Sequence, residues 1–291
     1  MTLPLASRAA GPPAPLRGVL LMVAGVGLLT IMDACIKHLS ARYPVPELVF
    51  FRCLFALPVL LLALHFDGGI QGLVRARHRW QLLRGCFSTA TSLLFFYGLA
   101  ALPLVDTLAI SFSAPLLVAL LAGPLLGERL DGRGWALVIL GFAGVLVVLR
   151  PGMGVLQPGA LLVVASTLTY ALGMILLRRL GLTDSATVTT LYATLIPGTV
   201  ALAVALPLWQ TPEPADLPLM LASGILGACG TLAVSAAFRL AAAPLLTSLD
   251  YTAILWAAGL GWLVFDELPS IFVLLGAALV ITSGLGISRR R

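Results

Sequence analysis

Long apolar runs, separated by short clusters of proline, glycine, arginine and acidic residues, set the pattern of the chain. Cutting at those clusters leaves ten apolar stretches, at 17–39, 46–66, 81–101, 105–126, 134–150, 159–178, 186–208, 217–240, 244–265 and 270–288. A helix rises 1.5 Å per residue, so about 20 residues cross a hydrocarbon core of about 30 Å, and most of the stretches have that length. No connection is long enough to fold alone. The pattern therefore predicts an all-α integral membrane protein, one bundle of ten transmembrane helices without a soluble domain.

The polar residues between the runs give the bundle an orientation. With the N-terminus in the cytoplasm, Arg8, Arg17, Arg75, Arg77, Arg79, Arg84, Arg129, Arg133, Arg178, Arg179, Arg239 and Arg289, Arg290 and Arg291 fall on the inner side, and only Lys37, Arg42, Arg52 and Arg150 on the outer side. Such an excess follows the positive-inside rule and predicts that both termini are cytoplasmic.

Composition strengthens the membrane reading. The chain is 60% hydrophobic and 10% charged with a mean hydropathy of +1.06, whereas soluble domains are about 25% charged. The net charge of +6 does not indicate nucleic acid, because the arginines form no continuous basic face and no aromatic-interleaved motif accompanies them. Cys35, Cys53, Cys86 and Cys229 lie in apolar runs without ligand spacing, which predicts free thiols and no metal site or cofactor. The opening "MTLPLASRAAGPPAPLR" resembles the start of a signal peptide, but no small-x-small cleavage site follows the next run, which is read as the first membrane helix.

The two halves echo each other. "GVLLMVAG" at 18 resembles "GALLVVAS" at 159; Lys37 then falls opposite Arg178, Pro58 opposite Pro197, Gly85 opposite Gly224 and Glu128 opposite Glu267. Five helices per half is an odd number, so the halves run in opposite senses. The expectation is two inverted five-helix repeats around a central cavity, with a cytoplasmic segment at 1–16, repeats at 17–150 and 151–288, and a basic tail at 289–291.

Five segments carry a family resemblance: "YPVPELVFFRCLFALP", "APLLVALLAGPLLGERL", "LDYTAILWAAGLGWLVFDELP", "GWALVILGFAGVLVVLRPG" and "LLGAALVITSGLGISRR". In these, over nearly its whole length, the chain resembles the EamA-type members of the drug/metabolite transporter superfamily, among them bacterial amino-acid and metabolite exporters. The resemblance implies a basket of ten helices whose cavity is lined mainly by helices 1, 3, 4, 6, 8 and 9. "MDACIK" and "PELVFFRCLFA" look somewhat like relatives that carry riboflavin or S-adenosylmethionine.

Candidate solute contacts follow from polar residues inside apolar helices. Asp33 and Lys37 lie one turn apart in "TIMDACIKH"; a carboxylate at a helix centre costs about 2.5–3.5 kcal/mol to insert, so it is paired, faces water or works. Asp33, whose repeat counterpart is Met174, is read either as facing the cavity, where it binds a cationic group or exchanges a proton, or as one partner of an ion pair with Lys37. Lys37 also has the reach to snorkel to the interface. Ser88, Thr91, Ser92 and Phe95 share one broad face of helix 3, a pattern that suits a wet cavity or close helix packing. Helix 6 offers Ser166 and Tyr170, helix 8 Thr231 and Ser235, and helix 9 Tyr251 and Trp256, aromatics with a polar handle. Pro115 removes a backbone donor from helix 4 and is expected to loosen it, with Ser111 beside it. Asp250 is read as a residue near the cytoplasmic start of helix 9, favouring a helix N-terminus. Glu128, Asp266 and Glu267 are read as solvated or capping groups, and Arg52 as snorkelling or pairing with Glu47.

No HExxH, GxSxG, P-loop or glycine-framed aspartate supports an enzyme. The sequence points to a secondary carrier in a bacterial inner membrane, exporting amino acids or similar small metabolites by alternating access. Its partners are a small solute, the bilayer and a coupling proton if Asp33 exchanges one, and it acts as a monomer or weak homodimer. The alternative is an importer of riboflavin or S-adenosylmethionine.

Overall fold

The computed structural model of the protein describes residues 15–66, 78–126, 131–149, 158–180, 186–241 and 243–288. The segment before residue 15, the expected repeat boundary at 150, Glu128 and the basic tail lie outside them. Among the described residues the chain forms twelve α-helices and no strand. They are α1 (Pro15–Leu39), α2 (Val45–Phe66), α3 (His78–Ala101), α4 (Leu104–Ser111), α5 (Ala114–Leu126), α6 (Gly132–Leu149), α7 (Pro158–Leu180), α8 (Ala186–Ala205), α9 (Leu217–Leu240), α10 (Ala243–Asp250), α11 (Ala253–Phe265) and α12 (Ile271–Ser288). Among the described residues seven stretches, including Leu104–Ala122 taken as one, are long and apolar enough to cross a membrane; Gly132–Val148, Ala253–Phe265 and Ile271–Gly286 are shorter apolar helices.

The outer faces match that environment. Leu61 and Leu62 of α2, Ile139 and Leu146 of α6, and Leu255 and Leu263 of α11 are exposed. Apolar area spread round a bundle in this way is a liability in water and a requirement in lipid. The inside holds a continuous core in which Met22, Leu48, Leu99, Leu104, Ile110, Met220 and Leu246 are almost fully buried.

Lipid tails are as apolar as leucine, so helices in a bilayer associate through close packing rather than apolar burial, and small residues permit it. The main pairs are α1 with α9, α3 with α7, α6 with α12, and α2 with α8. Three of them cross at paired glycines. A Cβ on Gly25 of α1 would lie 3.0 Å from the Gly230 carbonyl of α9, one on Gly98 of α3 would lie 2.9 Å from that of Gly159 of α7, and one on Gly144 of α6 would lie 2.7 Å from that of Gly276 of α12.

Two expected helices are each broken in the middle. The run 105–126 divides into α4 and α5 at Phe112 and Ser113, and the run 244–265 into α10 and α11 at Tyr251 and Thr252. At the first break Pro115 has no N–H to continue the ladder; the amide of Ser113 donates three residues back to Ile110 O (3.0 Å), a tightened turn. At the second break both the amide of Thr252 (3.0 Å) and its hydroxyl (2.7 Å) donate to Leu249 O, so a side chain takes part of the backbone's acceptor.

Candidate functional site

The two breaks meet. The ring of Phe112 packs on that of Tyr251, centroids 4.9 Å apart and tilted by 54°. Beside them lies a cavity of about 690 Å³, within the range of pockets that hold small organic solutes. Its described lining comes from Met22 and Leu29 of α1, Thr91 and Phe95 of α3, Leu108 and Ser111 of α4, Pro115 and Val118 of α5, Ser166, Thr167, Tyr170 and Met174 of α7, Val234 and Phe238 of α9, Phe112, Asp250 and Tyr251 at the breaks, and Gly284 of α12. These are the helices that the family resemblance implies, with α12 added.

Six sequence-selected residues come together here: Thr91, Phe95, Ser111, Ser166, Tyr170 and Tyr251. The Thr91 hydroxyl meets that of Thr169 at 2.9 Å, joining α3 to α7. Ser111 donates to Thr107 O (2.9 Å). Ser88, Ser92, Thr231, Ser235 and Trp256 are not among the lining residues. Thr231 donates to Gly227 O of its own helix (2.8 Å), and Trp256 covers Gly27 of α1, where an added Cβ would lie 3.0 Å from the indole Cε2.

Asp33 and Lys37 also lie off the cavity lining, and they do not pair with each other. Asp33 is 7% exposed, and its charged neighbour is Arg52 of α2. Arg52 neither snorkels to the interface nor pairs with Glu47. Its guanidinium lies over the Phe96 ring (5.3 Å) and reaches Met32 Sδ (3.7 Å), which turns it inward between α1, α3 and α9. Among the described residues no hydrogen bond or salt bridge engages the Asp33 carboxylate.

Lys37 instead pairs with Glu267, Nζ to Oε1 at 2.7 Å, and donates to the Leu102 carbonyl. Its ammonium also lies 5.2 Å from the centroid of the Phe265 ring. Glu267, expected to be solvated or capping, accepts from the Leu104 amide through Oε2 (3.0 Å). The chain places it by turning at Asp266, whose φ is +53°, the one positive value among described non-glycine residues. This cluster ties the end of α1, the α3–α4 junction and the end of α11 together. The same end of the bundle carries Tyr43 donating to Asp216 (2.9 Å), Arg42 near Asp216 (3.3 Å), and Glu47 accepting from the Gln210 amide (3.0 Å). By helix rise Lys37 stands about 12 Å beyond Leu29, the α1 lining residue nearest to it, so these contacts close one end of the bundle above the cavity.

Asp250, which the sequence offers on helix 9 and which reads there as favouring a helix N-terminus, lines the cavity. It is not at a helix N-terminus; it ends α10 at the second break, exposed to the cavity and within electrostatic reach of Tyr170 and Tyr251. Arg84 of α3 is also within electrostatic reach of Tyr170 and donates to Thr189 O of α8 (3.1 Å). The available signal was the "DYT" triplet, a polar interruption in an apolar run, placed in the second half as "SFSAP" is in the first.

Apolar, lipid-matched helices packed round a cavity, with two broken helices beside it, fit a polytopic membrane transporter of small solutes. The chain belongs to the EamA-like transporter family, whose pattern matches residues 16–150 and again 157–289. It is 28% identical to the S-adenosylmethionine uptake transporter of Rickettsia felis over 87% of this chain and 86% of that one. It is 28% identical to the pseudopaline exporter of Pseudomonas aeruginosa over 94% and 96%, and 26% identical to the riboflavin transporter of Vibrio cholerae over 92% and 92%. A solved crystal structure, 20% identical, superposes with a TM-score of 0.65 over 94% of this chain and 98% of that one, a likeness of fold.

Proposed function

We propose that the chain is a secondary carrier that exports amino acids or similar small metabolites by alternating access, with ten spans in two inverted five-helix repeats. The observation that carries this reading is the contact of Phe112 with Tyr251 beside the cavity, one broken helix from each family-matched region. Broken helices at a repeat interface are where secondary carriers place their solute.

The pairing of helices supports the repeat. Exchanging α1, α2, α3 and α6 with α7, α8, α9 and α12 turns the α1–α9 contact into α7–α3, and leaves α2–α8 and α6–α12 unchanged. The matched glycines follow the same exchange: Gly85 of α3 admits Ile196 of α8, and Gly224 of α9 admits Phe55 of α2.

In this reading both termini face the cytoplasm of a bacterial cell, the Lys37–Glu267 cluster seals the outer side, and the cavity is reached from the inner side. Solute loads from the cytoplasm, the seal parts as the two halves rock, and the solute leaves. Asp33, buried in α1 with Arg52 of α2 as its charged neighbour, is the candidate proton-exchange group, in a chain that acts as a monomer or weak homodimer.

A second reading, uptake of a vitamin or nucleoside-like solute, draws on the relatives named for S-adenosylmethionine and riboflavin and on the aromatic walls of Phe95, Phe112, Tyr170 and Phe238. Counterflow in proteoliposomes separates them. Saturable exchange of labelled amino acids is expected; movement of riboflavin or S-adenosylmethionine with no amino acid replaces the export reading, and no saturable flux of any of them rejects the carrier mechanism.

A further inference from the structure

A cavity selects by the charges it presents, and the described lining of this one presents a single charged group, Asp250. Asp33 lacks a hydrogen bond or salt bridge among the described residues, but it lies off the lining, and other acids of the bundle are engaged. Glu267 is paired with Lys37, Asp216 accepts from Tyr43 and Arg42, and Glu47 accepts from the Gln210 amide. Among the described residues no hydrogen bond or salt bridge takes up Asp250. Arg84, a cation within electrostatic reach of the same Tyr170, donates to Thr189 O and makes no salt bridge with the carboxylate. Asp250 also closes α10, whose last carbonyls give that helix end a partial negative charge, although Thr252 occupies the Leu249 oxygen. The surrounding wall is aromatic, from Tyr170, Tyr251 and Phe112, and aromatic faces attract cations as well as apolar bodies.

We propose that Asp250 is the specificity-determining residue of the cavity, and that the solute it selects carries a positive ammonium or sulfonium centre beyond any charge its own carboxylate balances, attached to an apolar or aromatic body. The carboxylate takes the charge, the rings of Tyr170, Tyr251 and Phe112 take the body beside it, and the hydroxyls of Thr91 and Ser166 meet its polar remainder. An anionic solute meets the field of Asp250 and is rejected. This inference rests on the cavity being the solute site of a carrier and narrows the class of solute it accepts.

Matched probes test it, because each pair differs in one charge. S-adenosylmethionine and S-adenosylhomocysteine differ by a methyl group and the sulfonium charge; lysine and norleucine differ at the side-chain ammonium. Equilibrium binding to the full chain in lipid nanodiscs should favour the charged member of at least one pair by about tenfold or more. Asp250→Asn should bring that ratio close to one with an unchanged melting temperature, and Asp250→Glu should keep most of it. Should Asp250→Asn fail to fold, the ratio in the unaltered chain and in Asp250→Glu still decides. Equal binding within both pairs, a preference that survives Asp250→Asn, or no binding of either pair overturns the proposal. Riboflavin counterflow in the same preparation separates this from the carrier reading: riboflavin exchange without charge preference removes the role of Asp250 and leaves the carrier, whereas no binding and no exchange of any probe removes both.

Discussion

At the scale of single residues, a charge inside a membrane protein is legible by its presence and not by its partner. "MDACIK" places Asp33 and Lys37 one turn apart, and helical spacing alone pairs them. The folded chain offers each a better neighbour: Glu267 at 2.7 Å for Lys37, and Arg52 for Asp33. Lys37 is only 10% exposed and Glu267 24%, so removing one partner leaves the other poorly solvated. A lone charge of this kind costs about 3–5 kcal/mol when fully buried, and the partial exposure of Glu267 reduces the cost. Lys37→Met should therefore destabilise the protein, by a clear drop in melting temperature in detergent, and Glu267→Gln in the same chain should recover part of it. An unchanged melting temperature for Lys37→Met would show that the pair holds nothing. Asp33→Asn should reduce flux, or alter its dependence on pH between 5 and 8, without loss of folded protein; identical flux across that range would make the role of Asp33 structural.

Hydroxyl residues show the same limit. Thr91, Ser111 and Ser166 reach the cavity, but Ser88, Ser92, Thr231 and Ser235, chosen by the same argument, do not. A serine or threonine in a helix can satisfy itself on a carbonyl three or four residues back, as Thr231 does on Gly227, so its presence in an apolar run does not say which way it faces.

At the scale of elements, the information lies in glycine and proline. Pro115 was expected to loosen helix 4, and the chain does break just before it; the second break, at Tyr251 and Thr252, has no internal proline to announce it. Pro115→Ala restores a backbone donor and should lengthen α4 into α5, stabilising the resting fold while slowing exchange severalfold. Faster exchange with unchanged stability would show that the break is not a working part. The α6–α12 crossing makes a second prediction. Gly144 and Gly276 each face the other's backbone, and Gly144→Leu forces the helices apart against Gly276, Leu279 and Val280. The expected result is a loss of about 2–4 kcal/mol, measured as a fall in melting temperature and in yield of folded protein, as for other overpacked or cavity-forming core changes. A stable variant would mean that the pair can separate without cost.

At the scale of the whole molecule, the arginine distribution and the odd number of helices per half make a joint prediction of topology. Reporter fusions after Arg79 and Arg291 should read as cytoplasmic, and one after Gly154 as external. An external signal at Arg291 or a cytoplasmic one at Gly154 would undo the inverted arrangement, and with it the assignment of the Lys37–Glu267 cluster to the outer side.

The sequence by itself determined the class of fold and the family. Hydropathy, helix length and arginine placement act locally on each segment, so each run of about 20 apolar residues carries its own membrane assignment. The echo between halves is likewise readable along the chain. What only the tertiary structure decided is which polar side chains share a space. That depends on the rotation of each helix about its axis, set by glycine contacts such as Gly25 with Gly230 and Gly98 with Gly159, between residues far apart in sequence. A helix all of whose faces are apolar shows little periodicity to reveal that rotation. Asp250 was hidden for this reason: along the chain it sits near the start of a span, but α10 is a half-helix, and where it stops the carboxylate stands at the edge of the cavity.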